Sequence, residues 1–261
     1  MIQPTLLFGA LLSILSAVIY SYVGRVLSRR HSASPDSNLA WRLFVLWWYA
    51  LAGTTLSGAA LNLLGGFGVT NLPLFVTVTM MNLMAICVAL FGLLYYLLYL
   101  FSGSRRWFTP LVVFYVIYYA LLVYFVEASE PARVAVEPWR VRLVYQQQLG
   151  NPFFVIILLL LLFPQIIGGL VYFTLYFRVK TATQKYRILL VSWSIVIWFL
   201  SSFLASISGL SQSDAWQVLS RFIALAASLT IMFAYQPPES IKRRFGVTSI
   251  AEEKNQSLAV E

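Results

Sequence analysis

Seven long apolar segments follow one another along the chain: Thr5–Leu27, Trp41–Leu64, Leu72–Phe101, Thr109–Val126, Pro152–Phe177, Tyr186–Leu210 and Ala215–Tyr235. Each approaches or exceeds the about 20 apolar residues that carry a helix across a bilayer. A backbone in hydrocarbon must satisfy its own hydrogen bonds, so such a row points to an all-α membrane protein, a seven-helix bundle. Composition agrees. Of the 261 residues 60% are hydrophobic and 10% charged, with a mean hydropathy of +0.80, whereas a soluble domain carries about 25% charged residues. The connections are too short for a catalytic domain of ordinary size. The expected division is a transmembrane domain over residues 1–236 and a short basic, disordered tail over 237–261.

Lys and Arg placement sets the expected orientation. Of 18 basic residues, 14 fall in the first, third and fifth connections and the tail: Arg25, Arg29, Arg30, Arg42, Arg105, Arg106, Arg178, Lys180, Lys185, Arg187, Lys242, Arg243, Arg244 and Lys254. The opposite side holds Arg133, Arg140, Arg142 and Arg221, balanced by Glu127, Glu130, Glu137 and Asp214. This predicts the N-terminus outside and the C-terminus in the cytoplasm. The first segment lacks a basic region before its apolar run, which reads as an N-out anchor rather than a cleaved signal.

The longest outside connection, Glu127–Asn151, alternates partly with period two around Glu137-Pro138. It reads either as a small β-hairpin over the helix ends or as an irregular loop with interfacial Trp139 and Tyr145. Gln236-Pro-Pro-Glu ends the seventh helix. Lys242-Arg-Arg-Phe245 suits anionic headgroups, and Ala251–Glu261 is polar enough to stay disordered. A faint duplication relates Trp41-Arg-Leu-Phe-Val-Leu-Trp-Trp48 to Tyr186-Arg-Ile-Leu-Leu-Val-Ser-Trp193. With helix 4 as a linker this gives a possible 3+1+3 repeat, although aromatic-plus-Arg helix starts also arise from topology alone.

Much chemistry lacks its residues. The one histidine, His31, lies in a connection, and the one cysteine, Cys87, lies inside a segment, so neither paired haem ligands nor a zinc set is available. No His or Lys falls within a span to serve a serine nucleophile or a retinal Schiff base. Deep carboxylates of the kind proton pumps use are missing too. The reading is therefore not an enzyme, with no cofactor, no metal and no nucleic-acid partner.

The candidate site residues are Arg221, Gln217, Asn82, Gln165 and Trp198. Arg221 sits six residues into the last segment, roughly 9 Å below its start, on one face with Gln217 and Asp214. It either anchors an anionic or polar ligand, or snorkels to pair with Asp214. Asn82 and Gln165 lie near mid-depth, where an amide either lines a pocket or holds helices together. Gln165 follows Pro164 and precedes Gly168–Gly169, a run expected to kink the fifth helix. Trp198 is too deep for an interfacial anchor and is either core or a ligand-facing ring. Ser57-Gly58-Ala59-Ala60 and Ser201–Ser202 are small residues suited to close helix approach.

Several stretches together carry a likeness: Arg29-Arg30 before an aliphatic second helix with Trp47-Trp48, Leu97-Leu-Tyr-Leu-Phe-Ser-Gly-Ser-Arg-Arg106, Gly150-Asn-Pro-Phe-Phe and Thr181-Ala-Thr-Gln-Lys-Tyr-Arg187. Over about residues 1–245 the chain resembles the seven-helix N-terminal sensor region of bacterial histidine kinases and related signalling proteins, and more widely the transporter, opsin and G-protein-coupled-receptor architecture. Those kinases continue into a cytoplasmic effector. Here 26 residues follow Tyr235, which implies a stand-alone member or a chain cut after its membrane region. The resemblance implies a receptor-like sensor in a prokaryotic inner membrane, without retinal, contacting the lipid bilayer, a small ligand or lipid, and a cytoplasmic or membrane signalling protein. The alternatives are a small-solute transporter and a non-catalytic subunit of a membrane complex.

Overall fold

The computed structural model describes residues 2–28, 35–146, 163–164, 166–211 and 214–249. Its helices are α1 (Pro4–Ser28), α2 (Pro35–Gly66), α3 (Leu72–Ser102), α4 (Phe108–Ala128), α5 (Ile166–Phe177), α6 (Ala182–Ser211), α7 (Asp214–Tyr235) and α8 (Glu239–Phe245). Six of them, α1–α4, α6 and α7, are long and apolar enough to cross a membrane, which makes the chain a helical membrane protein. The fifth expected span is described only in its second half, as α5. The expected kink at Gln165, the Gly150–Phe154 stretch, His31 and the Ala251–Glu261 tail lie outside the described residues.

Local chemistry places the breaks. Asn71 caps α3 by accepting the Leu74 N–H at 3.0 Å, and Pro73 fits the first turn, where no N–H is needed. The same helix stops at Gly103, whose φ of 62° suits a residue without a β-carbon. Pro237 and Pro238 end α7, and a short helix the sequence reading missed, α8, then runs to Gly246. Beyond it the chain folds back onto the start of α6. Val247 is buried, and Arg187 donates to the Thr248 carbonyl at 2.9 Å.

Consecutive helices α1, α2 and α3 pack in sequence, α6 packs on α7, and α7 closes against α1. Gly168 and Gly169 let α5 lie between α3 and α6: a β-carbon there would stand 3.2 Å from Leu93 and 3.3 Å from Ile195. The main core is aromatic and centred on α2. Trp48 stacks on Tyr20 of α1, and Phe44 contacts Tyr96 of α3 and Tyr172 of α5. A smaller core joins α3 to α4 through Cys87, Leu90, Tyr115, Tyr118 and Leu122. The two tryptophans matched in the faint duplication differ in surroundings: Trp48 is fully buried and Trp193 is 54% exposed. The sequence correspondence therefore does not extend to side-chain environment.

The connection after α4 is a hairpin rather than an irregular loop, and apart from it the regular structure among the described residues is helical. Strands β1 (Pro131–Val136) and β2 (Val141–Tyr145) pair antiparallel, with Val134 opposite Leu143 and an irregularity between Pro131 and Arg133. Glu130 enters the hairpin at φ 51°, and the turn closes with the Glu137 N–H donating to the Arg140 carbonyl at 2.9 Å. The hairpin forms a cap at one end of the bundle. At the other, basic end gather Arg25, Arg105, Arg106, Arg178, Lys185, Arg187 and the α8 cations.

Candidate functional site: an arginine latch beneath a hairpin cap

The cap is seated by small residues and backbone carbonyls. Thr5 at the start of α1 donates its hydroxyl to the Pro138 carbonyl in the hairpin turn. The Gln3 N–H donates to the Gly66 carbonyl at 2.9 Å, tying the start of α1 to the end of α2. Gly65 makes room for Val141 of β2, whose methyl group stands where a β-carbon on residue 65 would point. The turn of the hairpin thereby dips toward the helix ends.

Arg221 reaches this turn from α7. It is 7% exposed. Its Nη2 donates to the Asn62 Oδ1 of α2 at 3.0 Å and to the Trp139 carbonyl at 2.6 Å. Its Nη1 lies over Gly9 of α1, in the volume a β-carbon there would fill, and has no hydrogen-bond partner. One guanidinium thus touches α1, α2, α7 and the cap. The snorkelling alternative is corrected: Arg221 makes no ion pair with Asp214 among the described residues. The guanidinium turns sideways because Gly9 leaves a gap in α1 that Asn62 and the Trp139 carbonyl line with acceptors. A buried cation without a carboxylate is costly unless its donors are met. Here two acceptors meet Nη2, and Nη1 remains open.

Of the other proposed site residues, only Gln217 stands beside Arg221 among the described residues. Gln217, one turn above it, is half-buried, and its carbonyl accepts the Ser220 hydroxyl at 2.8 Å. Asn82 shares the α2-facing stripe of α3 with Ala85, Ala89 and Gly92, and its Oδ1 is buried without a partner. Trp198 packs against the main aromatic core, which favours the core reading over a ligand-facing ring. Gln165 lies outside the described residues. Thr54 and Thr55 spend their hydroxyls on carbonyls of their own helix, at 2.8 and 3.1 Å from Leu51. Sequence reasoning missed Gly9, Asn62, Thr5 and the Trp139 carbonyl; of these only Asn62, an amide near the end of an apolar segment, carries a readable signal.

Within the cap, Glu137 bonds Arg140 and, at 2.9 Å, Arg142. Burial alone would raise the Glu137 carboxyl, but the bonds and charges of Arg140, and then of Arg142, outweigh it and hold the carboxyl below its usual range. A depressed folded value means stabilisation that is complete above the unfolded carboxylate value, about 4.3, and is lost as pH falls through the folded one. Hydrogen exchange of the hairpin amides, corrected for intrinsic rates, should therefore be flat from about pH 5 to 8 and rise only in more acid solution. In Glu137→Gln that acid step should vanish. An acid step of wild-type size in the variant would assign it to another group.

No protein-family model matches the chain, and no curated protein or solved structure matches it either.

Proposed function

We propose that this chain is a receptor-like, non-catalytic membrane sensor, with the hairpin cap outside and the basic end in the cytoplasm. The observation that carries the reading is the Arg221 guanidinium, which holds the cap on α7 through a backbone carbonyl while keeping one buried nitrogen open. A small anionic or polar ligand reaching Arg221, with Gln217 one turn above it, competes for the donor that seats the cap. Because α7 continues through Pro237–Pro238 into α8, release or tightening of the cap biases two packings at the basic end, where a signalling partner reads them. The likeness to kinase sensor regions supports the same role, and the Lys and Arg bias supports the orientation. A transporter needs a polar path between the faces. The described interior between Arg221 and the basic end is instead filled by Trp48, Tyr20, Phe44 and Leu51, which favours the sensor.

The test uses a Cys87→Ala background with one cysteine at position 132 or 245. Impermeant maleimide should label Ala132→Cys from outside intact cells and Phe245→Cys only after the cytoplasmic face is opened. A fluorophore at position 245 then reports on α8. Loosening the cap by Arg221→Gln, or independently by Gly65→Ala, should shift its emission. Reversed labelling would overturn the orientation. An emission unchanged in both variants would make the cap a static lid and overturn the sensor reading.

A further inference from the structure

A groove between α3 and α5 shares no residue with the cap or with the Arg221 latch. Its cavity of about 400 Å³ is lined by Leu94, Leu97 and Leu98 of α3 and by Ile167, Gly168 and Val171 of α5. These walls offer almost nothing but hydrocarbon; the one polar side chain, Thr174, donates its hydroxyl to the Val171 carbonyl at 2.7 Å. The groove runs from mid-helix toward the basic end and finishes at Phe101 and Thr174. One turn past Thr174, Arg178 lays its guanidinium over the Phe101 ring at 5.3 Å, exposed at the mouth. Lys180 follows, and Lys185 sits over Tyr176 at 5.6 Å. Neither the stretch Leu72–Trp107 nor residues 163–211 contain a single Asp or Glu. The mouth is therefore cationic without a carboxylate from either wall, and the lining is fatty.

We propose that this groove is a binding site for one anionic phospholipid of the leaflet at the basic end. One acyl chain lies between the leucines of α3 and Ile167 and Val171 of α5, and the phosphate rests on Arg178. Phe101 holds the guanidinium at the mouth, where its N–H donors can make the two-pronged contact with phosphate oxygens that Arg makes and Lys does not. A groove of this shape takes a flexible hydrocarbon chain more readily than a compact polar solute. The chain alone would not discriminate between lipids; the charge at the mouth does.

The experiment is native mass spectrometry of the full chain from detergent micelles carrying either phosphatidylglycerol or phosphatidylethanolamine. Wild type should keep one phosphatidylglycerol under activation that strips phosphatidylethanolamine. Arg178→Gln, a surface change that leaves packing intact, should weaken retention about tenfold, equivalent to about 1.4 kcal/mol, and Arg178→Lys should recover only part of it. A triple change of Lys242, Arg243 and Arg244 to Gln should leave retention as in wild type, because none of these α8 cations lines the groove. Equal retention of both lipids by wild type, or unchanged phosphatidylglycerol binding in Arg178→Gln, would overturn the proposal. So would loss in the α8 triple variant matching that in Arg178→Gln, since binding would then be general attraction to a basic surface.

Discussion

Arg221→Gln should lower the melting temperature by roughly 5–15 °C and open the cap to protease. The variant loses the reach of the guanidinium, so the buried Asn62 amide oxygen and the part-buried Trp139 carbonyl are left without this donor. Each orphaned group costs about 1–3 kcal/mol, and a chain of this size loses about 2–4 °C per kcal/mol. The damage should be local. Trypsin should cut at Arg133 and Arg142 at least tenfold faster than in wild type, while the cores around Trp48 and Tyr115, remote from the latch, keep their protection. Arg221→Lys should fall between the two, because an ammonium on a flexible stem cannot span both acceptors as the planar fork does. A double-mutant cycle with Asn62→Leu should return a coupling of about 0.5–3 kcal/mol, as contacting residues do. If Arg221→Gln melts with wild type and its hairpin resists trypsin equally, the Arg221 latch is not what seats the cap.

The two ends of this protein differ in how much of them a reader of the sequence can recover. The spans are legible because hydrocarbon thickness imposes a length on every helix, and the apolar runs around α1–α4, α6 and α7 match the helices within a few residues except at the start of α2. The hairpin is half legible: Arg133–Tyr145 alternates, but an alternating stretch over helix ends has the composition of an interfacial loop as well. Arg221 stands out as a charge in an apolar run. Its partners do not, since Asn62 and Trp139 lie 159 and 82 residues away in sequence. One of the two contacts, moreover, is to a main-chain carbonyl that every residue possesses. The nearest acidic residue in sequence, Asp214, suggests itself as a partner by helical spacing, and that spacing misleads because Gly9 opens a different direction. Gln217, Asn82 and Trp198 share approximate depth with one another or with Arg221, but depth says nothing of azimuth. Asn82 faces α2, while Trp198 faces the aromatic core.

Glycine packing gives the sharpest contrast, and with it a second large expected effect. Gly58 and Gly92 both lie inside long helices, and in isolation a change to alanine should favour the helix by about 1 kcal/mol at either place. Gly58 belongs to the small-residue run Ser57–Ala60, a stretch suited to close helix approach in which Ala59 is buried. Yet a β-carbon on Gly58 meets nothing within 4 Å. On Gly92 it would stand 2.6 Å from the Leu43 carbonyl oxygen and 3.3 Å from the Trp47 nitrogen, both backbone atoms of α2. A side chain can swing aside; the backbone of a packed helix cannot. Gly58→Ala should therefore leave the melting temperature unchanged or slightly raised. Gly92→Ala should force α2 and α3 apart, and overpacking of this kind costs about 1–3 kcal/mol or more. The Phe44–Tyr96 contact, at 4.3 Å, lies one turn beyond Gly92 and should be the first aromatic pair to loosen. Gly92→Leu should prevent the folded bundle from accumulating at all. Thermal melts of the three variants in one detergent, with tryptophan fluorescence following Trp47 and Trp48, separate the two effects. A Gly92→Ala protein as stable as Gly58→Ala would mean that α2 and α3 do not approach along this stripe, and the placement of Asn82 on the same face would fall with it.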